Sequence, residues 1–171
     1  MSRGNSIFTF ALYGSLRGAE ASVVGSTIFA FFYIIVPAIV LGLENNYAQY
    51  MFSRTIVIII PALLFVGILG SIIPSVIGGY LLSVLLYSDV MKKEEMDIVV
   101  KIKGFAVGFA AGLFLWWLFS WKFKLDTILD IDRNLFIFYS IAGLLSTSIG
   151  GVWASVRLFK DGLKILKDTG R

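Results

Sequence analysis

The chain has 171 residues, of which 58% are hydrophobic and 15% charged, with a net charge of +4 and a mean hydropathy of +0.87. Soluble domains carry about 25% charged residues, so an ordinary water-soluble domain is excluded. The absence of Cys and His also excludes disulfides, thiolate nucleophiles, Cys or His metal ligands and imidazole acid–base chemistry.

The missing charge is concentrated in four blocks that contain no Asp, Glu, Lys or Arg, the pattern of membrane spans. Residues 1–20 form a polar and aromatic lead, expected to lie at the membrane interface. The first span is 21–43; it is too long for a signal-peptide core and has no clear cleavage site after it, so it reads as a retained helix. The second span, 55–87, would be about 50 Å long as a helix. It must tilt, kink or project beyond the bilayer, with Pro61 and Pro74 as the candidate break points. Residues 88–103 form a loop that contains a second amphipathic stretch, Met91–Lys103. The third span is 104–121 and the fourth 135–156. In the tail, 157–171, Leu158, Phe159, Gly162, Leu163 and Leu166 share a helical face, with Lys160, Lys164 and Lys167 off it. That pattern reads as a basic interfacial helix set against anionic headgroups, or more simply as a positive-inside anchor.

Orientation follows from the cations. Arg3, Arg17, Lys92, Lys93, Lys101, Lys103, Arg157, Lys160, Lys164, Lys167 and Arg171 fall on one side; Arg54, Lys122, Lys124 and Arg133 fall on the other. An excess of eleven over four places both termini in the cytoplasm. Trp116, Trp117 and Trp121 then sit at the outer end of the third span, where an aromatic belt is expected.

Ile77-Gly78-Gly79 recurs as Ile149-Gly150-Gly151, an offset of 72, and Ser83-Val84 and Leu86 recur as Ser155-Val156 and Leu158. The second and fourth spans therefore read as the second helices of two tandem hairpins of the same orientation, related by a pseudo-two-fold axis along the membrane normal. The first and third spans match less well, at an offset near 82.

A regular stripe of small residues supports the same reading. Gly67, Ser71, Ser75, Gly79 and Ser83 recur every four residues on the second span, and Gly143, Thr147, Gly151 and Ser155 on the fourth. Gly104, Gly108 and Gly112 do so on the third, and Gly18, Ser22, Ser26 and Ala30 on the first. Because lipid offers no hydrophobic incentive for helices to associate, contact depends on close backbone approach, which small residues permit. The stripes are expected to be helix interfaces within one bundle; the competing expectation is that the Ser and Thr residues line a pore.

Chemistry is sparse. None of the four expected spans holds the carboxylate or base that ion-coupled transport and proton relays place in the membrane. Asp126, Asp130 and Asp132 in the loop 122–134 lack the spacing of a calcium loop, and no phosphate-binding, hydrolase or zinc motif is present. No catalytic, metal or cofactor residue is assigned. The basic side lacks aromatics interleaved with its charges, which argues against nucleic acid. The expected function is a structural or accessory membrane subunit that meets other subunits, or itself, within the bilayer. The alternative is a homo-oligomeric channel, pore, small-solute transporter or membrane-permeabilising effector.

Overall fold

The computed structural model describes residues 3–41, 60–92, 98–118 and 133–168, with side chains over 7–32, 67–92, 98–118 and 137–167. The expected loop site at Asp126, Asp130 and Asp132 lies outside the described residues.

The described residues form four helices: α1 (Arg3–Leu41), α2 (Ile60–Met91), α3 (Ile98–Trp117) and α4 (Arg133–Asp168). Among the described residues three stretches are long and apolar enough to cross a bilayer: Gly67–Met91 of α2, Ile98–Trp117 of α3 and Ile137–Lys167 of α4. The chain is thus an all-helical bundle with several candidate transmembrane helices, which implies a lipid bilayer around it.

The first helix departs from expectation. It is not among the stretches apolar enough to span. Its described side chains include Arg17, Glu20, Ser15, Ser22, Ser26 and Thr27, which dilute its hydropathy. The end of the expected span 21–43, from residue 33 onward, lies outside the described side chains. The lead 1–20 is also no separate element, because α1 is continuous from Arg3.

α2 passes uninterrupted through Pro74, so it contains no re-entrant break there. Pro61 is the second residue of the helix, within the first turn, where a missing N–H leaves nothing unsatisfied. Residues 98–103, expected as loop, are the first turns of α3, and α4 carries the tail as its own continuation to Asp168. At 1.5 Å per residue α4 is about 54 Å long, well beyond the roughly 30 Å of a hydrocarbon core.

α1 and α3 begin, and α2 and α4 finish, at one end of the bundle, where Phe10 meets Tyr87 with ring centroids 6.1 Å apart. We call this the basic end, for Lys101, Arg157, Lys160, Lys164 and Lys167 are exposed there. The core sits at the same end: Phe10, Leu82, Leu86, Val90, Val100, Leu158, Phe159 and Leu166 form one buried cluster. Large apolar side chains point outward along the bundle, among them Phe8, Leu12 and Ile98 at the basic end and Phe31, Ile73 and Ile141 beyond it. An outward apolar girdle around a glycine-packed interior suits a helix bundle solvated by lipid.

The tail corrects a second expectation. Its apolar face does exist, but Leu158 and Phe159 are fully buried and Leu166 nearly so. A Cβ added at Gly162 would stand 2.7 Å from the Phe10 ring and 2.8 Å from Val90. The face is covered by α1 and α2, while Arg157, Lys160, Lys164 and Lys167 face outward.

Candidate functional site

The small-residue stripes meet one another inside the chain. A Cβ at Gly79 would overlap the Gly14 carbonyl oxygen and stand 2.8 Å from the Gly18 Cα. A Cβ at Gly151 would overlap the Gly104 carbonyl oxygen and stand 2.9 Å from the Gly108 Cα. The neighbours correspond as well. Ser83 lies against Gly14 as Ser155 lies against Gly104, and the Ser75 carbonyl meets Gly18 as the Thr147 carbonyl meets Gly108. On the second helices these positions differ by 72; on the first helices they differ by 90, not the 82 expected from the sequence.

The other stripe glycines show no such correspondence. Gly67 faces the Ser26 side chain, Gly112 faces Thr147 and Leu144, and Gly143 faces the Phe29 ring at a looser 3.8 Å. The hydroxyls turn back on their own helices: Ser71 donates to the Gly67 carbonyl at 2.6 Å, Ser83 to Tyr80 at 2.6 Å, Thr147 to Leu144 at 3.0 Å and Ser155 to Val152 at 2.8 Å. Such bonds satisfy a hydroxyl where no water is at hand. Ser83, Ser146, Ser148 and Ser155 are buried between helices.

Charge packed against a candidate span was missed by the sequence reading, which began the first span at residue 21. Gly18 packs on Ser75 and Gly79 of α2, within the candidate span Gly67–Met91. Arg17 and Glu20, within a turn of Gly18, therefore stand beside that span rather than before it. Arg17 Nη1 donates to Glu20 Oε2 at 2.5 Å, and its Nε donates to Asp161 Oδ2 on α4 at 2.7 Å. Helical side chains lean toward the N-terminus of their helix, so Arg17 leans toward the basic end while Asp161, on an antiparallel helix, leans to meet it. The signal was available: between Gly4 and Leu43, Arg17 and Glu20 are the only charged residues.

A second ion pair joins α2 to α3. Lys103 Nζ donates to Asp89 Oδ2 at 2.6 Å and to the Leu85 carbonyl at 3.1 Å. Asp89 and Asp161 are themselves 72 residues apart, the separation that relates Gly79 to Gly151. Each takes its cation from the first helix of the other hairpin, Lys103 from α3 and Arg17 from α1. Elsewhere at the basic end Arg157 lies over the Trp153 ring, 5.5 Å from its centroid, a cation–π contact that keeps its charge outward.

Among the described residues no group of three or more Asp or Glu side chains is placed to hold a metal, and no buried side-chain polar atom lacks a hydrogen-bond partner. Comparison with models of known protein families, with curated proteins and with solved structures finds no match to this chain.

Proposed function

We propose that this chain is a non-catalytic, multi-pass membrane subunit: four spans in two tandem hairpins of one orientation, both termini cytoplasmic, forming a ready-made bundle within a larger membrane assembly. α1 counts as the fourth span because its residues 14–26 run beside α2 from Ser83 to Gly67. The matched contacts of Gly79 and Gly151 support an internal duplication. The excess of cations at the basic end supports its cytoplasmic placement, where the outward lysines of α4 suit anionic headgroups.

One observation carries the reading. The stripe glycines are occupied within the chain, and the hydroxyls of Ser71, Ser83, Thr147 and Ser155 are bonded to their own helices. What remains for other molecules is the outer surface, on which α3 presents Phe105, Phe109, Leu113 and Phe114. A face of this kind suits neighbouring helices in the bilayer better than a solute. Native mass spectrometry after gentle extraction from the source membrane tests it. A fixed hetero-complex supports the subunit reading, and a protein recovered only as a monomer overturns it.

The alternative, a homo-oligomeric channel or small-solute transporter, draws on a different observation. Arg17 and Glu20 are ionisable groups packed beside a candidate span and Asp161 lies within one, Ile137–Lys167, and such groups commonly mark ion or substrate paths. A closed homo-oligomer by mass spectrometry, with liposome flux lost in Glu20→Gln, would favour this reading. Flux that is absent, or unchanged by Glu20→Gln, would count against it.

A further inference from the structure

At the basic end the outer surface has two sides of unlike chemistry. On α4 the exposed residues from Arg157 to Lys167 are Arg157, Lys160, Lys164 and Lys167, all cations, spread over about 15 Å of helix. On α1 no residue from Ile7 to Leu16 is charged, and Phe8, Leu12 and Leu16 are exposed. On α2 the exposed residues from Tyr80 to Ser88 are likewise uncharged, Leu81 and Val84 among them. α3, which packs on both α2 and α4, is mixed, with Lys101 beside Ile98 and Ile102.

The two sides stand at one level of the bundle, back to back. Gly162 of α4 lies against the Phe10 ring and Val90, and Phe10 in turn meets Tyr87. Residues two positions apart are turned about 160° from each other around a helix of 3.6 residues per turn. Phe8 and Leu12 therefore point away from the buried Phe10, and Lys160 and Lys164 away from the buried Gly162. Val84, two positions from both Leu82 and Leu86, points away from the core in the same manner.

An upright bundle suits only one of these sides. A depth that puts Phe8 and Leu12 among acyl chains puts Lys160 and Lys164 there too, where a charge is costly. A depth that puts the lysines in water leaves the apolar side bare. Snorkelling lifts an ammonium by part of one side-chain length, which does not relieve a strip of about 15 Å. Tilt removes the conflict. Two packed helices measure about 20 Å across, so a lean of about 20–40°, within the range of transmembrane helices, sets the two sides about 7–13 Å apart in depth.

We propose that the bundle leans in the membrane so that, at its basic end, the α1–α2 side is sunk among acyl chains while the Arg157–Lys167 strip of α4 meets anionic headgroups of the same leaflet. Apolar burial on one side and charge attraction on the other hold the lean. The inference goes beyond the subunit reading and rests only on the candidate spans lying in a bilayer.

The chain has no cysteine, so single spin labels report depth without background. In the full chain in nanodiscs of mixed phosphatidylcholine and phosphatidylserine, labels at Phe8→Cys, Leu12→Cys and Val84→Cys sample one side, and labels at Lys160→Cys and Lys164→Cys the other. All five positions are exposed, so the core is untouched. Power saturation should find the first three reached by oxygen and shielded from a water-soluble nickel chelate, and the last two reached by nickel, with a depth gap of about 7–13 Å. Equal depths on the two sides overturn the lean. Nickel reaching the α1–α2 labels overturns their burial in lipid. Labels there that neither reagent reaches overturn it as well, since protein would then cover that side. Native mass spectrometry from the same nanodiscs reads the headgroups. Lys160→Gln, Lys164→Gln and Lys167→Gln together should lower the phosphatidylserine retained per chain several-fold relative to phosphatidylcholine. Unchanged retention overturns the headgroup contact.

Discussion

Gly151 lies so close to Gly104 that a methyl group at residue 151 would overlap the Gly104 carbonyl oxygen, and Gly79 stands in the same relation to Gly14. Both contacts bring antiparallel helices to backbone distance, and each is flanked by a buried serine, Ser155 or Ser83. The pairing of α3 with α4 and of α1 with α2 rests on these close approaches.

Gly79→Ala and Gly151→Ala should each force their helix pair apart. The expected cost is about 1–3 kcal/mol, the usual range for overpacking, and the two should be alike. Gly143→Ala should be close to neutral, because its nearest neighbour is the Phe29 ring at 3.8 Å. Reversible unfolding in bicelles, followed for the three variants side by side, checks the order.

Leu86 and Leu158 are both fully buried in the core of the basic end. Truncation of either to Ala should cost about 2–5 kcal/mol, the range for a buried leucine, and the two should again be alike. A Leu158→Ala variant no less stable than the parent would mean that the tail's apolar face is not covered by α1 and α2. The same unfolding measurement reads it.

Arg17→Met removes the cation shared by Glu20 and Asp161. Arg17 and Asp161 keep about a fifth of their side-chain surface exposed, so the loss should fall below that of a fully buried pair, at about 1–3 kcal/mol. In a double-mutant cycle with Asp161→Leu the two changes should be coupled by about 0.5–3 kcal/mol. Additive effects would show that the pair contributes no interaction of its own.

Single cysteines in this cysteine-free chain test orientation. Lys164→Cys should be labelled by a membrane-impermeant maleimide only from the cytoplasmic side, and Lys101→Cys likewise. Both positions are exposed, so access to reagent decides the result. Labelling from the opposite side would invert the topology drawn from the cation count.

The sequence by itself determined that the chain is helical and that several of its helices are long and apolar enough to cross a membrane. A bilayer permits only segments that satisfy their own backbone and carry little charge, so long uncharged blocks declare themselves. It also marked the contact residues, because only small side chains allow helices to interlock in lipid. Tertiary structure alone decided what those residues touch. The 3.6-residue period of the tail required that Leu158, Phe159 and Leu166 be covered, but a period carries no information about whether lipid or protein covers them; Phe10 and Val90 do. Likewise a charge count places Arg17 and Glu20 ahead of the first uncharged block. Their depth beside α2 follows from how far α1 slides along it, and that register is set by Gly18 seating on Ser75 and Gly79, a contact between residues distant in the chain.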